Sequence, residues 1–282
     1  MPQTYTPLRY PGGKTKLYSY VKSIIDANNL HGTYIEPFAG GAGLALKLLF
    51  YNDVKRIVIN DSDPAIYAIW RTILESPDEL CHFIMEVPLS IDEWEHQRSL
   101  YMTLHDVPSI ELAKSAFYLN RTNISGVIMG GVIGGKKQTG NYKIDARFNR
   151  SKLVKKINDI YQKRENIDIY NLDALNFLEP AVLRHYYKAF INFDPPYVVK
   201  GSKLYMNAYQ EIDHRRLRDA IQKCTRKWIV TYDVCDFIAE LYGECRSSFL
   251  DLTYSANGSR KAKEYIFFSD NLVVPDTITL CE

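Results

Sequence analysis

Hydrophobic residues along this chain alternate between two spacings. Short, almost wholly apolar runs read as buried strands: Thr33–Glu36, Arg56–Asn60, residues 167–171, Ala189–Phe193, residues 228–232 and residues 265–269. Between them the spacing widens to that of an amphipathic helix, as at Leu17, Tyr20, Val21, Ile24 and Ile25, which predicts a helix over residues 17–28. Residues 44–50, 65–74 and 213–224 read the same way, and Pro64 suits the first turn of the third of these four helices. Strand, glycine-rich turn, helix and strand follow one another from residue 33 to residue 60. That order is the start of a doubly wound α/β sheet.

The middle of the chain departs from this rhythm. Residues 78–120 look mainly helical, whereas residues 121–150 carry closely spaced glycines and no long apolar period, which predicts turns and short hairpins. A basic helix follows over residues 151–164. We therefore expect a core domain formed by residues 1–77 and 166–282, with an inserted domain at residues 78–165. At 282 residues and 46% apolar content the chain suffices for that arrangement.

Charge sharpens the picture. The net charge is only +2, but residues 121–165 hold 11 Lys/Arg against 3 Asp/Glu, a plausible phosphate-binding surface. A solvated helix face is the plainer alternative. The five cysteines include no CxxC pair and the six histidines lack metal-ligand spacing, so reduced thiols and no metal site are expected. No apolar run approaches the ~18 residues of a membrane span, and the N-terminus lacks a signal peptide's apolar core.

Candidate chemistry gathers at strand ends. Asp194-Pro195-Pro196-Tyr197 ends the run Ala189–Phe193, at the edge where open α/β sheets bind ligands. An aromatic amino group is a poor nucleophile because its lone pair is delocalised. Asp194 can accept one amino hydrogen and the Pro195 carbonyl the other, while Tyr197 offers a ring to stack on a base taken out of its duplex. An ordinary turn would also place Asp and Pro here. The turn Glu36-Pro37-Phe38-Ala39-Gly40-Gly41-Ala42-Gly43 ends in Leu44, without the Lys-Ser/Thr of a triphosphate loop. Asp61, at the end of the next strand, is placed to hold ribose hydroxyls or to cap a helix. Near the N-terminus, Lys14 of Arg9-Tyr10-Pro11-Gly12-Gly13-Lys14 suits a ligand carboxylate.

Tyr10-Pro-Gly-Gly-Lys14, Glu36-Pro-Phe-Ala-Gly-Gly-Ala-Gly43, Asn60-Asp-Ser-Asp63, Asp173 and Asp194-Pro-Pro-Tyr197 stand in a fixed order. With Phe117-Tyr-Leu-Asn-Arg-Thr122 and Asp213-His214, this order resembles that of the Dam-like, D12-class adenine-specific DNA methyltransferases over nearly the whole chain. The resemblance implies a seven-stranded S-adenosylmethionine-dependent methyltransferase sheet, doubly wound, with an inserted target-recognition domain that is mostly helical and contains a hairpin. It implies cofactor binding by Tyr10, Lys14, Glu36, Phe38, Gly40, Asp61, Asp173 and Asp194, with S-adenosyl-L-methionine as cofactor. Asp194, Pro195, Pro196 and Tyr197 become the catalytic residues, holding the target adenine. GATC-reading members carry an arginine or similar polar side chain on a hairpin where this chain has Ser125-Gly-Val-Ile-Met129-Gly-Gly131, so a different adenine-containing site is expected.

The expected partner is double-stranded DNA, contacted by Arg121, Asn123, Ser125, Lys136, Lys137, Gln138, Asn141, Lys143, Arg147 and Arg150. A monomer in solution, in the cytoplasm of a prokaryotic or phage-infected cell, is expected, as a genome-marking or restriction-modification enzyme. RNA or protein-glutamine methylation, and a catalytically dead DNA-binding regulator, stay open. The Asp that opens the acceptor loop and the basic insertion favour DNA.

Overall fold

The computed structural model describes residues 4–10, 14–198, 209–254 and 260–275. Seven strands form one mixed sheet: β1 (Thr33–Glu36), β2 (Arg56–Asn60), β3 (Ile167–Tyr170), β4 (Ala189–Phe193), β5 (Lys227–Asp233), β6 (Arg246–Tyr254) and β7 (Arg260–Phe268). Their order is β3-β2-β1-β4-β5-β7-β6. β1, β2, β4 and β5 are parallel, whereas β7 runs antiparallel to both β5 and β6. All four residues of β1 and all five of β4 are buried, as strands covered on both faces must be. The chain leaves β1 toward β2 on one side, and β4 lies on the other. The direction of winding reverses between them, so the carboxyl ends of β1 and β4 form the switch point where ligands of such sheets bind.

The chain divides into two compact units. One comprises Lys14–Ala39, Leu44–Asn60 and Leu172–Glu282. Here α1 (Tyr18–Asn28) buries Tyr20, Val21, Ile24 and Ile25, the face its spacing predicts. α2 (Gly43–Phe50) follows the glycine turn. The other unit comprises Met1–Gly13, Gly40–Gly43 and Asp61–Asn171. In it Asp63 caps α3 (Pro64–Glu75), accepting the Ala65 N–H at 2.8 Å. The block expected to be helical resolves into α4 (Pro77–Glu86), α5 (Ile91–Leu104) and α6 (Ile110–Thr122), interrupted where Pro88 and Pro108 fall. α7 (Arg150–Tyr161) is the basic helix, capped by Asn149. The first unit adds the short α8 (Ala174–Phe177) and α9 (Pro180–Leu183), then α10 (Glu211–Lys223) and α11 (Asp236–Leu241).

Several elements differ from the pattern-based reading, among them the short α8, α9 and α11, which it did not mark. β6 was not legible because Arg246, Ser247 and Ser248 break its apolar run at a sheet edge. β7 begins at Arg260, before its apolar half, since its pairing with β6 extends the ladder into polar residues. The glycine-rich segment has the expected turns, as 3₁₀ turns, but a single bridge, Asn123 to Val132, in place of the short hairpins.

That segment is fixed from beneath by one carboxamide. Asn123 is 0% exposed. Its oxygen accepts from Trp94 Nε1 at 2.6 Å, and its nitrogen donates to the carbonyls of Val127 (3.1 Å) and Ile128 (2.7 Å). Asn120 does the same for the N-terminal strand of chain, accepting the Arg9 N–H at 2.9 Å and donating to the carbonyls of Arg9 (2.7 Å) and Gly126 (2.9 Å). Gly126 has φ +79°, and a Cβ there would lie 2.3 Å from the Arg9 carbonyl oxygen. Asn123→Ala strands a buried indole donor and two carbonyls, each costing about 1–3 kcal/mol when unsatisfied. It should lower unfolding free energy by at least ~2 kcal/mol, read from the midpoint of urea denaturation.

Candidate active site

The loop Asp194-Pro195-Pro196-Tyr197 begins where β4 ends. Asp194 is brought against Lys14, whose ammonium lies 3.2 Å from its Oδ1, and Thr231 of β5 donates to the same oxygen at 2.9 Å. Lys14 is itself buried, and its second carboxylate partner is Glu264 of β7 at 3.0 Å. Tyr197 completes the group: its hydroxyl donates to Glu264 Oε2 at 2.6 Å and accepts from Lys14. The Lys14 ammonium lies 4.9 Å from the centre of the Tyr197 ring. Burial alone would depress the Lys14 pKa, but the two carboxylates outweigh it and hold the ammonium charged. Burial raises the Asp194 carboxyl, with Lys14 opposing and Glu264 reinforcing the rise. The result is a half-buried carboxylate whose Oδ1 is fixed by two donors, with no donor to Oδ2 among the described residues. Pro195 is buried and Pro196 half-buried.

Glu264 has no place in the sequence reading. Its signal was a lone acid inside the apolar strand end Glu264-Tyr-Ile-Phe-Phe268, at 0% exposure. A charge in such a run needs a partner. Lys14, expected from sequence to meet a ligand carboxylate, instead meets these two protein carboxylates.

At the end of β1, Glu36 is buried beside Tyr34, whose hydroxyl donates to its Oε1 at 3.1 Å and accepts from Asn192 at 2.8 Å. Burial pushes the Glu36 carboxyl up to about 8. Phe38 is half-buried and meets the Tyr209 ring edge-on at 6.0 Å. Asn60 holds this corner: its nitrogen donates to the carbonyls of Pro37 (2.9 Å) and Leu172 (3.0 Å), and its oxygen accepts the Leu172 N–H at 3.0 Å. Asp173, next in the chain, is exposed and caps α8 through the Leu175 N–H at 2.8 Å.

In the other unit, Gly40 adopts φ +47°, and a Cβ there would lie 2.6 Å from the Tyr10 ring. Only glycine lets that ring lie flat on the turn. Asp61 Oδ2 accepts the Gly40 N–H at 2.8 Å and its Oδ1 the Asp63 N–H at 3.0 Å, while Trp70 Nε1 donates to the Gly40 carbonyl at 2.9 Å. Burial, with Asp63 adding, pushes the Asp61 carboxyl up to about 7. Two lone-pair directions on it stay open to hydroxyl donors.

The residues expected on DNA divide into two groups. Asn123 is internal, as described. Gln138 is turned into its own loop, donating to the carbonyls of Ile133 (2.8 Å) and Gly135 (2.7 Å) and accepting the Ile144 N–H at 2.8 Å. Arg150 ties α7 to the carbonyls of Ile84 and Val87. Ser125 is half-buried at φ 57°. Lys137, Asn141, Lys143 and Arg147 are exposed, as is Lys136, which pairs with Glu95 at 2.7 Å. Arg121 donates to the carbonyls of Arg147 and Pro7. Burial, with Arg9 and Arg147 adding, lowers its pKa to about 9, and burial lowers Lys156 to about 8, with Arg121 and Lys152 adding. Among the described residues no cluster of three metal-ligating side chains occurs, and no helix is long and apolar enough to cross a membrane.

The family model of the D12 class N6 adenine-specific DNA methyltransferases matches residues 10–254. Type II methyltransferase M.MjaIII of Methanocaldococcus jannaschii is 24% identical over 226 residues, 73% of each chain. Type II methyltransferase M.CviBI of Paramecium bursaria Chlorella virus NC1A is 22% identical over 244 residues, 83% of this chain and 85% of that one. Among solved structures, the rRNA methyltransferase aviRa from Streptomyces viridochromogenes aligns at a TM-score of 0.37 and 13% identity, over 92% of this chain and 85% of the other. The match at residues 10–254 runs from the tyrosine seated on the glycine turn through the Asp194 loop, and with it the chain belongs to the D12 class N6 adenine-specific DNA methyltransferases, enzymes of site-specific adenine methylation in DNA.

Proposed function

We propose that the methyl donor is S-adenosyl-L-methionine and that the target adenine is turned out of the duplex to meet Asp194, Pro195, Pro196 and Tyr197. The observation that carries this reading is the Asp194 carboxylate, held at the end of β4 by Lys14 and Thr231 with Oδ2 left for a substrate donor. The chemistry of the remaining residues fits the donor. Asp61, short of charge compensation and already fixed by two backbone N–H groups, suits ribose hydroxyls. Tyr10 on the Gly40 turn and Phe38 supply aromatic faces, Glu36 a buried acceptor at the switch point, and the exposed Asp173 an acceptor beside the Asn60 corner. When bound, S-adenosyl-L-methionine supplies an electrophilic methyl on a sulfonium.

Asp194 and the Pro195 carbonyl accept hydrogen bonds from the two amino hydrogens of adenine. With its lone pair so withdrawn from the ring, the nitrogen would be placed to attack a sulfonium methyl, whose C–S bonding pair would leave with sulfur. The negative charge of Asp194 stabilises the positive charge growing on nitrogen, and the one proton then lost passes to the Asp194 carboxylate and on to water. No protein nucleophile takes part. A base can reach this loop only outside its stack, where Tyr197 gives it a ring. Phosphate contacts fall to Lys136, Lys137, Lys143 and Arg147, with Arg121 behind them. Base reading falls to the exposed part of the glycine-rich segment, Ser125 and Asn141 included. Met129 stands where a guanine-reading arginine would, which supports a site other than GATC.

Three measurements test the reading. Asp194→Ala should abolish transfer of labelled methyl to DNA adenine while cofactor affinity stays within about tenfold, because the contact matures near the transition state. Wild-type turnover in that variant would remove Asp194 from the chemistry. Asp61→Ala should weaken S-adenosyl-L-methionine binding by about 1–3 kcal/mol in calorimetry, the scale of a lost charged hydrogen bond; unchanged affinity in a folded protein would exclude Asp61. Neutralising Lys137 and Arg147 together should flatten the slope of log K against log salt for duplex DNA by roughly 0.9 per lost phosphate contact, uniformly across sequences. An unaltered slope would mean that both charges face solvent.

A further inference from the structure

Glu264 is a fully buried carboxylate contributed by a strand well past the acceptor loop. Removing such a charge from water costs several kcal/mol unless its lone pairs are met. Its Oε2 accepts from the Lys14 ammonium at 3.0 Å and from the Tyr197 hydroxyl at 2.6 Å, two residues beside Asp194. Lys14 therefore stands between two carboxylates, nearer to Glu264 than to Asp194 at 3.2 Å. The trio carries one positive and two negative charges, so the ammonium cannot satisfy both acids fully. The share taken by Glu264 is lost to Asp194. At the same time Glu264 grips the far end of the Tyr197 ring, whose centre lies 6.4 Å from that of Tyr232.

We propose that Glu264 is a positioning residue for methyl transfer: by sharing Lys14 with Asp194 and holding the Tyr197 hydroxyl, it sets how strongly Asp194 accepts the target amino group and where the Tyr197 ring lies. The inference rests on the assignment of Asp194 as the amino-group acceptor. The other groups around Asp194 do not duplicate this role. Thr231 on β5 is neutral, and Tyr34 and Glu36 on β1 pair with each other. Asp233, also on β5, accepts the Val198 N–H at 3.2 Å.

The test uses single-turnover transfer from tritiated S-adenosyl-L-methionine to plasmid DNA of a methylation-deficient host, followed from about pH 5 to pH 9, the range in which such acids and bases show in a rate profile. Glu264→Gln keeps the shape and removes the charge. Lys14 then belongs wholly to Asp194, whose pKa falls, so the acid limb should move to lower pH by about half a unit or more. The plateau rate should drop about tenfold or more, with cofactor Kd within about threefold. Tyr197→Phe frees Glu264 to draw Lys14 away from Asp194, so its acid limb should move upward. A limb that stays in place in both variants, or a plateau in Glu264→Gln equal to wild type, overturns the proposal. If Glu264→Gln does not fold, the Tyr197→Phe limb decides alone: upward supports it, any other result overturns it. Wild-type protein that methylates no adenine overturns the assignment of Asp194 as well, whereas an active wild type with unmoved limbs overturns only the role of Glu264.

Discussion

The buried ammonium of Lys14 is the interaction on which the acceptor site depends. Left alone in that position it would lose its proton or pull the loop open to water. Asp194 and Glu264 hold it charged, and in return it lets two acids lie in the protein interior. Removing one member of such a buried set leaves an uncompensated charge, a loss of roughly 3–5 kcal/mol in comparable cases. The same contacts join the 3₁₀ turn before α1 to the end of β4 and the middle of β7, so the loop from Asp194 to Tyr197 is held at its first and fourth residues.

A second principle operates at the glycine turn, where backbone geometry does the positioning. Gly40 yields its side-chain space to the Tyr10 ring, and its N–H and carbonyl are taken by Asp61 and Trp70. Asp61 orders the turn by accepting the N–H groups of Gly40 and Asp63 with its two oxygens. A carboxyl pushed up to about 7 by burial gains from hydroxyl donors that a solvated one would not need.

The basic segment shows how composition and location part company. Its charge excess is real, yet its polar residues serve two ends. Asn123, Gln138 and Arg150 spend their hydrogen bonds on backbone carbonyls and hold the loops in shape. Lys137, Asn141 and Arg147 remain exposed on that frame. A glycine-rich stretch with few apolar side chains has no core of its own, so buried carboxamides take over the work that a hydrophobic cluster does elsewhere.

Much of this protein was legible in its sequence because the responsible forces are local. The apolar runs of β1, β2, β4 and β5 and the spacing of α1 follow from burial on one face or both. The turn at Gly40 and the placement of Asp194 at a strand end follow from backbone rules that act within a few residues, whereas the sequence offered Asp61 as a cap and the structure caps α3 with Asp63. The ordered motifs pointed to the family that the match over residues 10–254 shows. Tertiary structure alone decided the rest. Glu264 meets Lys14 across 250 positions of sequence and Tyr197 across 67, and nothing near Glu264 in the chain announces either partner. Strand β6 extends back through Arg246, Ser247 and Ser248 because β7 pairs with it there. Whether a polar side chain faces outward or props up a loop depends on which carbonyls the fold brings within reach, and those lie elsewhere in the chain.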